Sequence, residues 1–227
     1  MTQIAARLAN VRDRIRAAET RFGRPADSVG LVAVSKTKPA TLIREALDAG
    51  QTDFGENYLQ EAADKQAAFA LNEVCWHFIG PLQSNKTKSV ATHFDWVHSV
   101  ERTKIARRLS EQRPDELSPL NVCLQVNVSD EASKSGLTPE AVAETAAAVA
   151  ALPRLRLRGL MCIPAPAADL DSQRVPFRRL RELLEGLQAQ GLSVDTLSMG
   201  MSGDLEAAIA EGSTLVRVGS DIFGARE

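Results

Sequence analysis

The chain has 227 residues, is 44% hydrophobic, and carries 27 basic against 29 acidic side chains for a net charge of −2. Near neutrality offers no electrostatic basis for nucleic acid or an anionic membrane as partner. No apolar run approaches the roughly 20 residues of a bilayer span, and Met1 to Asn10 lack the basic and apolar regions of a signal peptide, so a cytoplasmic protein is expected.

Helical and strand-like periods alternate along the whole chain. Ile4, Leu8, Val11 and Ile15 are spaced as one face of an N-terminal helix. The branched run from Leu31 to Lys36 reads as a first buried strand. Pro39 then opens a helix with apolar Leu42, Ile43, Ala46 and Leu47, closed by Gly50. Asp53 to Glu56 is the second strand and Cys75 to Gly80 the third. A short helix from Asn85 to Thr92 leads to the fourth strand, Phe94 to Ser99, and Glu101 to Gln112 is helical again.

Leu120 to Val128 is the fifth strand, and its helix begins at Thr138-Pro139 and stops at Pro153. Arg158 to Ile163 is the sixth strand, followed by the stiff loop Pro164 to Ala168 and a helix marked by Leu180, Leu183, Leu184 and Leu187. Val194 to Met199, a short helix from Leu205 to Glu211, and Thr214 to Gly219 complete eight strands. Parallel neighbours require crossovers, which the intervening helices supply. The expected fold is α/β: one (β/α)₈ TIM barrel over residues 1–227, with an extra N-terminal helix.

Cys75, Cys123 and Cys162 are far apart and lack CxxC spacing, which favours three small buried side chains over a disulfide or zinc framework. His77, His93 and His98 show no metal spacing, and no metal is expected. Of these, only His77, which shares parity with Cys75 and Ile79, is placed near the pocket. Arg178, Arg179 and Arg181 read as a solvated helix face. Lys134-Ser135-Gly136 reads as a solvated loop after the fifth strand.

In such a barrel chemistry collects at the C-terminal strand ends. Lys36 shares parity with Val32 and Val34 and should project into the mouth, where lost hydration would free a neutral amine able to attack an aldehyde. Lys38 has the same parity but falls beyond the strand, toward solvent. Ser198-Met199-Gly200-Met201-Ser202-Gly203, between the seventh strand and its helix, offers backbone N–H groups and hydroxyls to an anion. Asp204 and Glu206 would repel a phosphate unless they point away. Arg217-Val218-Gly219-Ser220 ends the eighth strand with similar chemistry. Phosphate commonly binds above strands seven and eight, so these segments opposite Lys36 suit an aldehyde-bearing phosphate.

Val34-Ser35-Lys36, Phe54-Gly55-Glu56-Asn57-Tyr58, His77-Phe78-Ile79-Gly80-Pro81-Leu82-Gln83-Ser84-Asn85-Lys86, Ser198-Met199-Gly200-Met201-Ser202 and Arg217-Val218-Gly219 together resemble the pyridoxal phosphate homeostasis protein family. The resemblance runs in order over nearly the whole chain. It implies an alanine-racemase-like barrel with pyridoxal 5'-phosphate (PLP) as cofactor, held as a Schiff base on Lys36. It further implies phosphate contacts from Ser202 and its neighbours Ser198 to Met201, with Gly219 and Ser220, Asn57 close to the cofactor, and Arg217 facing the pyridine nitrogen.

A cation beside that nitrogen disfavours its protonation and weakens the ring as an electron sink. Tyr58 is the only tyrosine, and eight residues follow Gly219, so neither a second base nor a companion domain of the racemase kind is expected. The expectation is a monomeric PLP carrier for storage, buffering or delivery, in transient contact with apo-enzymes. A PLP-dependent amino-acid racemase is the alternative. A Schiff-base sugar-phosphate aldolase would need a lysine on a middle strand, which Val126-Asn127 and Cys162-Ile163 do not supply.

Overall fold

The computed structural model describes residues 2–70, 73–129 and 135–224. Eight parallel strands close in chain order into one barrel: β1 (Gly30–Val34), β2 (Asp53–Glu56), β3 (Cys75–Phe78), β4 (Trp96–Val100), β5 (Leu120–Gln125), β6 (Leu155–Met161), β7 (Thr196–Ser198) and β8 (Leu215–Val218). β1 pairs with both β2 and β8, with Val32 opposite Arg217. The fold is the (β/α)₈ barrel that the alternating pattern anticipates.

The helices are α1 (Gln3–Arg21), α2 (Ala40–Asp48), α3 (Leu59–Gln66), α4 (Thr87–His93), α5 (Thr103–Gln112), α6 (Val142–Ala150), α7 (Leu170–Ala189), α8 (Leu205–Ala210) and α9 (Ser220–Phe223). The α1 stripe Ile4, Leu8, Val11 and Ile15 is buried and packs beside α2, α8 and α9. α9 is only four residues long, so α1 fills the outer-ring position that an eighth crossover helix would occupy. The core between barrel and helices includes the buried rings of Phe54, Phe78, Phe94 and Phe177; burial of each stabilises by about 1.5–3 kcal/mol.

Three features differ from the sequence reading. β6 begins at Leu155, where buried Leu155 and Leu157 alternate with exposed Arg156. α7 begins ten residues before Leu180, at Leu170, with Asp169 accepting from the Ser172 N–H at 2.9 Å; Pro176 inside its second turn hides that start from pattern reading. Two of the arginines expected to form a solvated face are also pinned. Arg178, Arg181 and Arg174 converge on buried Glu211 at 3.1, 3.3 and 2.8 Å. Burial opposes ionisation of Glu211, but hydrogen bonds from Arg178 and Arg174 outweigh it and hold the carboxyl below its usual range. Lys134 lies outside the described residues.

Candidate functional site

At the C-terminal mouth a cavity of about 290 Å³ is lined by Lys36, Lys38, Asn57, Met201, Ser202, Arg217, Gly219 and Ser220, among others. Its floor follows from strand alternation. Gly55 lies against Val32, Val34 and Ile79, so the side of β1 that carries Val32 and Val34 faces inward. Lys36, one repeat further, reaches the cavity wall half-buried.

The intervening Ser35 is buried on the opposite side and anchors this segment. Its hydroxyl donates to Glu56 Oε1 at 2.6 Å. Lys65 Nζ donates to Glu56 Oε1 and to the Ser35 carbonyl, both at 2.7 Å, and to Glu61 Oε1 at 2.5 Å. Burial pushes the Glu56 carboxyl above its ordinary range, against the opposing pull of Lys65 and Ser35. On the other flank of Lys36, the Thr37 N–H also donates to Glu61. Thr37 sits at φ 63°, a left-handed conformation that a β-branched residue adopts only when its surroundings impose it. Lys36 is thus held between two fixed neighbours. Glu56, Glu61 and Lys65 have no part in the site expected from sequence, because their role depends on contacts of the end of β2 and of α3 with the loop after β1.

Across the cavity, the loops after β7 and β8 bring Ser202 and Ser220 together, with hydroxyl oxygens 3.2 Å apart. Arg14 from α1 ties these loops from outside. It donates to the Ser202 carbonyl at 3.0 Å, to Asp221 at 2.7 Å and to Glu206 at 2.9 Å. Glu206 is therefore engaged with Arg14, which answers the concern that it would repel an anion. Asp204 Oδ1 accepts from the Met201 N–H at 2.6 Å, and burial raises its pKa. Arg14 carries no signal in a sequence reading, since it sits on a helix 188 residues from Ser202.

Arg217 is buried in the cavity wall. Its guanidinium donates to Ser198 Oγ at 2.7 Å and to the Cys162 carbonyl at 2.9 Å, while its backbone N–H bonds the Gly200 carbonyl at 2.9 Å. Burial lowers its pKa, although guanidinium remains charged at physiological pH. Among the described residues it makes no salt bridge, so the fixed positive charge is directed by neutral partners.

Asn57 stands on the same wall, and its buried Oδ1 has no hydrogen-bond partner among the described residues. A buried acceptor of this kind is costly unless a ligand or water satisfies it. Its place depends on Gly80, where a Cβ would stand 2.3 Å from the Asn57 carbonyl oxygen.

Of the residues expected to form the site, Lys36, Asn57, Met201, Ser202, Arg217, Gly219 and Ser220 come together on this cavity, whereas His77, Ser198, Met199 and Gly200 do not line it. Met199 is packed in the hydrophobic core. Gly200, at φ 95°, would press a Cβ to 2.6 Å from Ala208 Cβ. His77 is buried inside the barrel, bonded to Asp53 at 3.0 Å and His98 at 2.9 Å; inward parity was right, but the height of β3 in the barrel places it below the mouth. Ser198 reaches the site through Arg217. Lys38, expected to face solvent, also lines the cavity with Ile163, Gly203 and Phe223.

The remaining histidines have structural partners: His93 Nδ1 lies 2.9 Å from the Ser89 carbonyl and His98 is buried. Cys123 and Cys162 are buried, with thiols pushed up to about 12 by that burial; Cys75 is half-buried. Among the described residues, no helix is long and apolar enough to cross a membrane.

Residues 6–227 match the family model described as alanine racemase, N-terminal domain. The chain is 62% identical to the pyridoxal phosphate homeostasis protein of Pseudomonas aeruginosa, covering 100% of this chain and 97% of that one. Identity to the protein of the same name from Escherichia coli K12 is 56%, with 100% and 98% covered. The solved structure of PipY from Synechococcus elongatus with PLP bound superposes with a TM-score of 0.86 at 39% identity, covering 98% of this chain and 100% of PipY. The chain belongs to the pyridoxal phosphate homeostasis protein family, on the barrel of the alanine racemase N-terminal domain.

Proposed function

We propose that this protein binds PLP at the C-terminal mouth of the barrel and serves PLP homeostasis as a cytoplasmic, monomeric carrier, rather than as an enzyme. The observation that carries the reading is the convergence of Lys36, Arg217, Asn57 Oδ1, which has no partner among the described residues, and the facing hydroxyls of Ser202 and Ser220 on one cavity. The names of the relatives and the PLP-bound PipY structure support the same cofactor. PLP supplies an aldehyde for reversible attachment and a phosphate for anchoring.

Each chain residue has a matching task. Lys36, on the cavity wall, would supply the amine to which the aldehyde of PLP could attach reversibly. Ser202 and Ser220 donate to the phosphate, aided by the backbone at Gly219, while Arg14 holds both loops from behind. Asn57 receives a polar group of the ligand or an ordered water. Arg217 would present its fixed cation to the cofactor ring, and a cation beside the ring nitrogen would disfavour its protonation and damp carbanion chemistry. A site that binds firmly without a strong electron sink suits storage and transient delivery to apo-enzymes.

The test is spectroscopic. Protein loaded with PLP should absorb in the visible range, and Lys36→Ala should lose that absorbance while keeping its far-UV circular dichroism. Retained absorbance in Lys36→Ala would move the attachment elsewhere. Robust racemisation or decarboxylation of any common amino acid would overturn the carrier reading.

A further inference from the structure

Four short contacts thread the barrel interior from the cavity wall to its N-terminal end. Arg217 Nη1 meets Ser198 Oγ at 2.7 Å, and Ser198 Oγ meets His98 Nδ1 at 2.7 Å. His98 Nε2 meets His77 Nδ1 at 2.9 Å, and His77 Nε2 meets Asp53 Oδ1 at 3.0 Å. Ser198, His98 and His77 are buried, whereas the Asp53 side chain is 38% exposed.

The partners determine where the hydrogens lie. Arginine can only donate, so Ser198 Oγ accepts at the cavity end. Ionised Asp53 can only accept, so His77 must carry a proton on Nε2. A neutral His77 then has a lone pair on Nδ1, which requires His98 to donate from Nε2. Neutral His98 in turn accepts on Nδ1, and the Ser198 hydroxyl provides that hydrogen. With both histidines neutral, no other arrangement satisfies all four contacts.

The surroundings of His98 and Asp53 favour their charge states in this arrangement. Burial first, and the Arg217 charge with it, disfavour a second proton on His98. Burial opposes ionisation of Asp53, yet its bond with His77 leads the groups that hold its pKa below the ordinary value, joined by Thr52 and Cys75. The Cys75 thiol, 3.4 Å from His77 Nε2, is pushed up by burial and stays neutral. Trp96 stacks on His77 with centroids 5.5 Å apart and restricts ring rotation.

We propose that Arg217→Ser198→His98→His77→Asp53 is one directed hydrogen-bond chain, and that its members are positioning residues for the Arg217 guanidinium that faces the bound cofactor. Its role toward the cofactor rests on the PLP reading above. Each acceptor is fixed by the donor beyond it, so losing the carboxylate at the opposite end frees the tautomers and with them the hydroxyl that receives Arg217. Asp53, remote from the cavity, thereby influences how well PLP is retained.

Two measurements test this. Long-range ¹H–¹⁵N spectra of cofactor-free protein at pH 7, assigned with His93→Gln, should show His77 and His98 as neutral Nε2–H tautomers. An Nδ1–H tautomer or an imidazolium at His98 refutes the chain. PLP affinity by equilibrium dialysis should fall about fivefold or more in both Asp53→Ala and Ser198→Ala, and the double variant should bind no worse than Ser198→Ala alone. Unchanged affinity in Asp53→Ala, or additive losses, refutes the positioning role even if the tautomers are as assigned. Wild-type protein that binds no PLP refutes the functional reading instead, and the spectra of the cofactor-free protein still judge the chain.

Discussion

Ser202 Oγ and Ser220 Oγ stand 3.2 Å apart on loops that follow different strands. The pair exists because β7 and β8 are neighbours in the closed barrel and because Arg14 bridges their loops from α1. Two hydroxyls facing one another over a cavity can turn their hydrogens toward a common anion. Ser202→Ala or Ser220→Ala should therefore weaken PLP retention by about 1–3 kcal/mol, measured by dialysis against phosphate buffer. Unchanged retention in both variants would place the phosphate elsewhere.

Arg14→Ala removes the tie without touching the cavity wall. Arg14 is partly exposed, with Glu206 and Asp221 also partly exposed, so solvent screening limits the loss of stability to about 1 kcal/mol. PLP dissociation should nonetheless accelerate, because both hydroxyl-bearing loops lose a shared anchor. Stopped-flow transfer to an excess of scavenger reads the rate.

Gly80→Ala forces a methyl group into the Asn57 backbone. We expect a loss of about 1–3 kcal/mol in stability from overpacking, together with weaker PLP binding as Asn57 shifts. Chemical denaturation and dialysis on the same variant give the two numbers.

Glu211→Ala leaves Arg174, Arg178 and Arg181 without the carboxylate on which they converge. The buried acceptor makes this costly, while partial exposure of the arginines moderates it; about 1–3 kcal/mol is expected. The urea midpoint should fall with no change in the absorbance of bound PLP, since Glu211, at the C-terminal end of α8, and the α7 arginines lie outside the cavity lining.

Acid should destabilise the fold through His98. Its folded pKa is depressed from 6.5 by burial and by neighbouring His77 and Arg217. As pH falls below 6.5 the unfolded chain takes up a proton that the folded chain refuses, so stability declines until the folded pKa is passed. Glu56 acts in the opposite sense. Its raised pKa stabilises the fold below 4.5, a contribution lost as pH rises through the folded value. Denaturation midpoints between pH 7 and 5 should fall for wild type and flatten in His98→Gln.

Much of the architecture is legible in the order of residues. Alternating strand and helix periods require parallel strands with crossovers, and eight units suffice to close a barrel. Inward parity from Val32 through Val34 places Lys36 at the mouth, and strand-end loops rich in glycine and serine mark the opposite wall. These properties are local or depend only on strand sequence, so they survive without knowledge of the partner surfaces.

The tertiary structure alone decided which inward residues share a level. Parity assigns His77 to the interior, but the tilt and stagger of a closed barrel set its height, and it lies beneath the cavity against His98 rather than in it. The same closure joins Ser198 to His98 across 100 residues of sequence and brings Arg14 to the Ser202 loop. Such contacts are properties of register and packing, which no periodicity along one chain encodes.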